Sequence, residues 1–184
     1  MTITIRRATP DDVPTLHALV ERAYRGNAAR AGWTHEADLL DGQRSDLPSL
    51  VELLGKAGNR ILLAYDGDIL VGSVALLPPG PGVAHLGMLA VEPARQGDGT
   101  GKRLIAAAET EAASEGAHAV EMTVIRQRPE LIAWYARRGY HPTGEERPFP
   151  LDDPRFGIPR TRELGFVVLE KSLATYARRP PRMA

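Results

Sequence analysis

Leu89-Ala-Val-Glu-Pro-Ala-Arg-Gln-Gly-Asp-Gly-Thr-Gly-Lys-Arg103 is the stretch that decides the fold of this chain. An apolar, β-rich run precedes its glycines and an alanine-rich run with helical periodicity follows them, so the glycines lie between a predicted strand and a predicted helix. Gly97, Gly99 and Gly101 free the backbone of Cβ atoms there, and several N–H groups can then face one anion. The stretch therefore predicts a pyrophosphate site at the N-terminus of a helix.

The spacing of the glycines separates this loop from other phosphate-binding loops. The P-loop pattern G-x-x-x-x-G-K-[ST] fails because Gln96 occupies its first glycine position and Arg103 its hydroxyl position. The dinucleotide pattern G-x-G-x-x-G fails because Lys102 or Leu104 stands where its last glycine is needed. A glycine-rich turn without a ligand is the remaining alternative, although three glycines at alternate positions lower helix stability without any gain in packing.

The segments on either side of the loop alternate between strand and helix patterns. Before the loop, the sequence predicts strands over 2–8, 60–65, 69–77 and 83–91 and helices over 9–24, 36–40 and 47–56. After it, the sequence predicts helices over 102–115 and 129–138 and strands over 118–125, 140–149 and 164–171. This order predicts an α+β fold, with a mixed, mostly antiparallel central sheet flanked by helices.

The composition predicts a single domain over residues 1–175, followed by a flexible tail over 176–184. Lysine plus arginine and aspartate plus glutamate each number 23, so no net field attracts nucleic acid or an anionic membrane, and neither is an expected partner. The chain has no cysteine and no H-x-x-x-H or H-E-x-x-H spacing, so we expect no metal. It shows neither a signal-peptide core nor an apolar run of membrane-spanning length, and we therefore expect a cytoplasmic protein.

Two segments fit one family pattern. Gln96, Gly99 and Gly101 meet [Q/R]-x-x-G-x-[G/A], and Leu131-Ile-Ala-Trp-Tyr-Ala-Arg-Arg-Gly-Tyr140 is similar to an "FYEKxGF" segment in the same order and at the same spacing. The sequence thereby resembles the GNAT superfamily of acyl-coenzyme A-dependent N-acetyltransferases over about residues 60–171, and residues 1–24 fit its first strand and helix. Arg128 departs from the family, which often has asparagine there.

The resemblance implies acetyl-coenzyme A (acetyl-CoA) as cosubstrate and an amine as acceptor, in a small molecule or in a peptide or protein. It implies direct transfer, and a thioester relay on the enzyme would need a cysteine that this chain lacks. A coenzyme A-binding module without turnover is the alternative, and a homodimer is left open beside a monomer. The residues that the resemblance assigns to the pantetheine and the pyrophosphate are Leu89, Ala90, Val91, Gln96, Gly97, Asp98, Gly99, Thr100, Gly101 and Lys102.

Amide formation from a thioester needs a proton for the departing thiolate and a base for the amine. Tyr135 matches the tyrosine that lies near the sulfur in the resembling family, and a phenol stays protonated at neutral pH. The alternative for Tyr135 is packing alone. His85, eleven residues before Gln96, is the first candidate for the base, because an imidazole is largely neutral at pH 7. Glu92 and Glu121 are alternatives, and His85 can also be an ordinary polar group on a strand.

Trp33, Glu36 and Arg44 lie where GNAT enzymes build the wall of the acceptor site. Glu36, with Asp38 and Asp41, offers carboxylates to a cationic amine, and Arg44 offers a guanidinium to a substrate carboxylate. The alternative is that Trp33 anchors a loop in the core and the charges form a solvated helix face. The sequence does not separate these two interpretations.

Overall fold

The computed structural model describes residues 2–78 and 82–173. Its helices and strands follow the chain in this order: β1 (Ile3–Arg7), a 3₁₀ turn (Pro10–Asp12), α1 (Val13–Tyr24), α2 (Gly26–Ala29), β2 (Leu40–Asp41), α3 (Leu47–Gly55), β3 (Arg60–Asp66), β4 (Ile69–Leu77), β5 (Val83–Val91), a 3₁₀ turn (Pro93–Arg95), α4 (Thr100–Ser114), β6 (Ala119–Ile125), α5 (Pro129–Ala136), β7 (His141–Pro148), a 3₁₀ turn (Pro154–Phe156), β8 (Ile158–Pro159) and β9 (Gly165–Ser172). The tail predicted over 176–184 lies outside the described residues.

The main sheet has seven strands in the order β1-β3-β4-β5-β6-β9-β7. Neighbouring strands run antiparallel except β5 and β6, which run parallel. Helix α4 makes the crossover between these two, as a parallel pair requires. The predicted mixed, mostly antiparallel α+β fold is confirmed. β2 and β8 form a separate two-stranded sheet.

Helices cover both faces of the main sheet. On one face α4 and α5 pack into a core that includes Leu104, Val120 and Tyr140, and on the other face α1 and α3 pack into a core that includes Leu16 and Leu63. A Cβ at Gly72 would lie 2.8 Å from a methyl carbon of Leu104, so the glycine lets α4 approach β4 closely. The 15-residue α4 is shorter than a membrane span, and no helix in residues 2–78 and 82–173 is both long and apolar enough to cross a bilayer.

The parallel strands β5 and β6 separate along their length. Their described pairing covers only Val83–His85 against Ala119–Glu121. Further along β5, the register with β4 shifts where Met88 adopts a φ of +50°, which marks a bulge in the strand. Beyond that point β5 and β6 diverge, and the opening lies beside the glycine loop that the sequence singled out.

The segment between α1 and α3 differs from its prediction. The short helix expected near 36–40 is a single turn there, closed by the N–H groups of Leu39 and Leu40 on the carbonyl of Glu36, and the short helix α2 lies earlier in the chain. The Glu36 side chain is drawn inward by two arginines, and the chain then enters β2 directly. Ion pairs with residues distant in the sequence determine the structure of this segment, and hydrophobic periodicity cannot predict such pairs.

Candidate active site

Two cavities adjoin in the opening between β5 and β6. The first, of about 160 Å³, lies against the glycine loop, and the second, of about 210 Å³, lies between residues of β5 and β6. The residues that line both cavities are Tyr24, Leu89, Arg128, Leu131 and Tyr135. These five residues therefore lie at the junction of the two cavities, which together are called the passage.

The glycine loop presents free backbone donors to the first cavity. Gly97 and Gly99 have φ values of +96° and +93°, and a Cβ at either would enter open space. Within the described chain, the N–H groups of Gly97, Gly99, Gly101 and Lys102 make no hydrogen bond. They lie at the N-terminus of α4, where the helix dipole favours an anion, and the Lys102 side chain lines the same cavity.

Seven of the ten residues predicted to bind the cosubstrate line the first cavity. Ala90, Asp98 and Thr100 do not: Ala90 is buried against the α1 side of the sheet, and the Asp98 carboxylate accepts a hydrogen bond from the Thr100 N–H at 2.9 Å. Burial opposes ionisation of Asp98, but its bonds from Thr100 and the nearby Arg95 hold the pKa of this carboxyl below its ordinary value. Asp98 therefore shapes the start of α4 as an ionised side chain. The seven that line the cavity are Leu89, Val91, Gln96, Gly97, Gly99, Gly101 and Lys102.

Gln96 connects the glycine loop to the segment that follows α2. Its Oε1 accepts from the Thr34 N–H and its Nε2 donates to the Thr34 carbonyl, both at 3.3 Å. The neighbouring Trp33 is 43% exposed, lines the first cavity and lies 6.2 Å from Trp134 between ring centroids. Trp33, expected in the acceptor wall, thus lies on the side of the glycine loop. Arg138 stacks 3.4 Å above the Trp134 ring and adds positive charge to that cavity.

Two tyrosines stand at the junction of the cavities. The Tyr24 hydroxyl donates to the Leu89 carbonyl at 2.8 Å. The Tyr135 ring is buried edge-on between Trp134 and Tyr140, and its hydroxyl makes no hydrogen bond with a described residue. Burial, with a smaller contribution from Tyr24, raises the pKa of Tyr135 well above its ordinary value. Tyr135 therefore keeps its proton at neutral pH and can donate it into the passage.

The second cavity brings together charged groups that lie far apart in the sequence. Glu36 is buried, and its two oxygens accept from Arg25 Nη1 at 2.6 Å and from Arg128 Nη1 at 3.1 Å. Arg44 Nε lies 3.9 Å from Glu36 Oε2. Burial alone would raise the pKa of Glu36, but the three guanidiniums outweigh it and hold that pKa below its ordinary value. Glu36 is therefore the ionised counter-ion of these arginines, and its role toward a cationic amine stays a prediction.

The candidate bases lie outside both cavities. His85 is paired through Nδ1 with Glu121 Oε1 at 3.2 Å, and Arg147 holds the same Glu121 oxygen at 2.9 Å. Glu92 accepts from Arg22 at 2.9 Å. The structure therefore brings none of the three to the junction.

Sequence reasoning missed Tyr24 and Arg138, which line the first cavity, and Arg25, which lines neither cavity but holds Glu36. Tyr24 ends a well-predicted helix and carries no separate signal, and Arg25 and Arg138 look like ordinary surface charges in the sequence. Arg128 had a signal, because it departs from the resembling pattern, and the structure shows it on both cavities. The described residues contain no cluster of three or more histidine, aspartate or glutamate side chains that would hold a metal.

Comparison with known proteins gives concordant results. Residues 16–140 match the acetyltransferase (GNAT) family. The mycothiol acetyltransferase of Thermobispora bispora is 36% identical over 108 residues, which are 58% of this chain and 32% of that protein, so the match spans about a third of the relative.

Solved structures match over nearly the whole chain. The ribosomal-protein-S18-alanine N-acetyltransferase of Escherichia coli has a TM-score of 0.70 at 13% identity and covers 100% of this chain and 99% of its own. The Salmonella typhimurium protein yncA, solved with its cofactor acetyl-CoA, has a TM-score of 0.67 at 18% identity. The match covers 98% of this chain and 99% of that chain. At these identities the likeness shows the fold.

Proposed function

The chain belongs to the acetyltransferase (GNAT) family, and from this premise we propose that it transfers the acetyl group of acetyl-CoA directly to a primary amine. The observation that carries the proposal is the pair of adjoining cavities. A phosphate-type site of free N–H groups lies at the first, the second offers space for an acceptor, and the Tyr135 phenol lines both.

The residues of the first cavity fit acetyl-CoA. The four free loop N–H groups and Lys102 suit a pyrophosphate, and Leu89 and Val91 of the diverging β5 suit the pantetheine arm. When bound, acetyl-CoA supplies a thioester whose acyl carbon can accept the lone pair of an amine. The alternative of a binding module without turnover lacks a comparable observation, because it would not need the second cavity.

Tyr135 holds the proton for the departing thiolate. Its hydroxyl is free of other hydrogen bonds among the described residues, and a phenol is protonated at neutral pH, so it can donate as negative charge develops on sulfur. Tyr24 fixes the Leu89 carbonyl beside it. We assign the amine proton to water in the second cavity, because Glu36 is held by arginines and His85, Glu92 and Glu121 lie elsewhere.

Release of free thiol from acetyl-CoA in the presence of a panel of primary amines tests the proposal. We expect thiol release that depends on the amine and equals the amount of N-acetylated product measured by mass spectrometry. Binding of acetyl-CoA without amine-dependent thiol release would instead support the module without turnover.

The cytoplasm is our proposed location, since acetyl-CoA is a large, multiply charged molecule that does not cross membranes unaided. Fractionation of cells that express the chain tests this. Recovery with the membrane fraction or outside the cell would contradict it.

A further inference from the structure

Buried positive charge lies beside the second cavity, which Arg44 and Arg128 line, whereas Arg25 is paired with Glu36 but lines neither cavity. Arg25 and Arg128 are 7% and 6% exposed, and Arg44 has a side chain that is 27% exposed. The carboxylate that these three share is Glu36. Glu130 Oε1 lies 3.9 Å from Arg128 Nε, but the Glu130 side chain is about half exposed. The Glu21 carboxylate accepts hydrogen bonds from the backbone N–H groups of Arg44 and Ser45.

The arginine donors are not all used within the protein. Among the described residues, Arg128 Nε at the second cavity is buried and makes no hydrogen bond. Arg25 Nε is also buried without a hydrogen bond, but Arg25 lines neither cavity. The Arg44 guanidinium stacks 5.0 Å from the centroid of the Tyr24 ring, and its described ion pair is the long contact with Glu36. Unpaired buried donors and uncompensated charge are unfavourable unless a ligand completes them.

The position of these donors relates them to the reacting centre. Arg44 and Arg128 line the second cavity together with Tyr24 and Tyr135, which stand at the junction with the first cavity. An anion bound by Arg44 and Arg128 would therefore lie in the same small space as the amine. The remaining wall is largely apolar, and includes Leu86, Met88, Met122, Val124, Phe156 and Phe166.

We propose that the acceptor is an amino acid with an apolar side chain, whose carboxylate binds Arg44 and Arg128 while its α-amino group enters the junction. The planar guanidinium matches a carboxylate through two parallel hydrogen bonds, and the apolar wall receives the side chain. The inference rests on the proposed acetyl transfer.

The first experiment compares each of leucine, methionine and phenylalanine with its amide. Amidation removes the carboxylate charge and keeps the side chain, but it also lowers the pKa of the amine, so kcat/KM is compared per neutral amine. We expect kcat/KM for the amino acid to exceed that for the amide by about tenfold or more, as for a charge-assisted hydrogen bond. Equal or higher kcat/KM for the amides would overturn the inference while leaving acetyl transfer in place.

The second experiment uses Arg44→Gln, with Arg160→Gln as the matched control. Arg160 also loses a guanidinium, but it binds Asp41 and lines neither cavity. We expect Arg44→Gln to lower kcat/KM about tenfold or more for the amino acid and less than about threefold for the amide, with Arg160→Gln near the wild type. Equal losses on both acceptors in Arg44→Gln would contradict a carboxylate contact.

A binding measurement separates this inference from the proposed reaction. Calorimetric titration of leucine into the protein saturated with coenzyme A needs no turnover, and we expect binding that weakens in Arg44→Gln and for leucinamide. If no amine supports thiol release but leucine binds more tightly than leucinamide and more tightly to wild type than to Arg44→Gln, the proposed reaction fails. The carboxylate site at Arg44 and Arg128 then stands. If neither leucine, methionine nor phenylalanine binds in the same titration, the proposed carboxylate site at Arg44 and Arg128 fails.

Discussion

Arg128 is the residue that joins the two halves of the site. Its Nη1 donates to Glu36, its Nη2 donates to Thr34 Oγ1 at 2.7 Å, and its side chain lines both cavities. Thr34 is in turn held by Gln96 of the glycine loop. One guanidinium therefore positions the acceptor side and the cosubstrate side relative to each other.

Tyr135→Phe tests the proton donor. The variant keeps the ring and its packing and removes a hydroxyl that bonds to no described residue, so the melting temperature should change little. We expect kcat to fall by about 10²-fold to 10⁴-fold or somewhat less, with the affinity for coenzyme A within a few-fold. Single-turnover kinetics, in which product release cannot mask the chemical step, measure the effect.

Tyr140→Phe is the matched control for Tyr135→Phe. The Tyr140 hydroxyl donates to Glu109 at 2.8 Å and lines neither cavity, so its loss should lower stability by about 1 kcal/mol and leave kcat unchanged. A wild-type rate in Tyr135→Phe would make Tyr135 a packing residue.

His85→Gln separates the two assignments for the amine proton. His85 lines neither cavity, so we expect the rise of activity with pH to follow the pKa of the acceptor amine and to be the same in wild type and variant. Profiles of kcat/KM against pH with two amines of different pKa check this. Loss of the rising limb in His85→Gln would restore His85 as the base.

The sequence predicts the site residues that belong to a local motif, but it does not predict pairings between residues far apart in the chain. Gly99, Gly101 and Tyr135 were predicted because local spacing and a family pattern identify them. Glu36 and Arg44 were named, and both line the second cavity, but the arginine partners of Glu36 were not predicted. Those partners, Arg25 and Arg128, lie 11 and 92 positions away from Glu36, and no local pattern reports such a pairing.

At the scale of elements, α4 offers a comparison between its own two ends. Gly99 at its N-terminus and Gly116 just past its C-terminus have φ values of +93° and +95°, and neither Cβ would meet an atom within 4 Å. Leucine at either position carries the same backbone strain, of about 1–2 kcal/mol. Only the side chain at Gly99 would enter the first cavity.

We therefore expect Gly99→Leu and Gly116→Leu to lose similar stability and to differ in binding. Gly99→Leu should weaken coenzyme A binding several-fold or more, and Gly116→Leu should not change it. Calorimetry at a temperature where circular dichroism shows both variants folded makes the comparison. Equal affinities in the two variants would remove the loop from the binding site.

The link between β1, the first 3₁₀ turn and β3 predicts how stability depends on pH. Asp12 accepts from Arg6 Nη2 at 2.6 Å and from Tyr65 at 3.1 Å, and the bond from Arg6 is the main cause that holds its pKa well below the ordinary value. A depressed pKa stabilises the fold above the ordinary pKa near 4, and this contribution is lost as the pH falls below it.

Asp12→Asn removes this contribution. We expect the variant to be less stable than wild type by about 1 kcal/mol at pH 7, after allowance for solvent screening of Arg6, and the difference to shrink below pH 4. Urea unfolding at a series of pH values measures it. A difference that does not change with pH would mean that the charge of Asp12 is not involved.

The elements themselves were predicted unevenly. Helices α1 and α4 and the β3–β4 hairpin follow from hydrophobic periodicity and from the turn at Gly67, and the structure confirms them. The register shift at Met88 and the divergence of β5 from β6 were not predicted, because strand separation depends on pairing between distant segments. That divergence is what makes room for the site.

At the scale of the whole molecule, the balanced charge hides a local excess. Lysine plus arginine equals aspartate plus glutamate, yet three arginines share one buried carboxylate beside the second cavity. The zero net charge indicates that no long-range field attracts a polyanion, but it says nothing about the local charge around the second cavity. The fold concentrates positive charge where an acceptor must be held.

The account depends most on where the thioester lies, and a crystal structure of the chain with coenzyme A measures that directly. We predict the pyrophosphate on the N–H groups of Gly99 and Gly101 and the sulfur within hydrogen-bond distance of the Tyr135 hydroxyl. The second cavity should then remain open beside the sulfur. Coenzyme A bound away from the glycine loop, or a sulfur that does not approach Tyr135, would contradict the account.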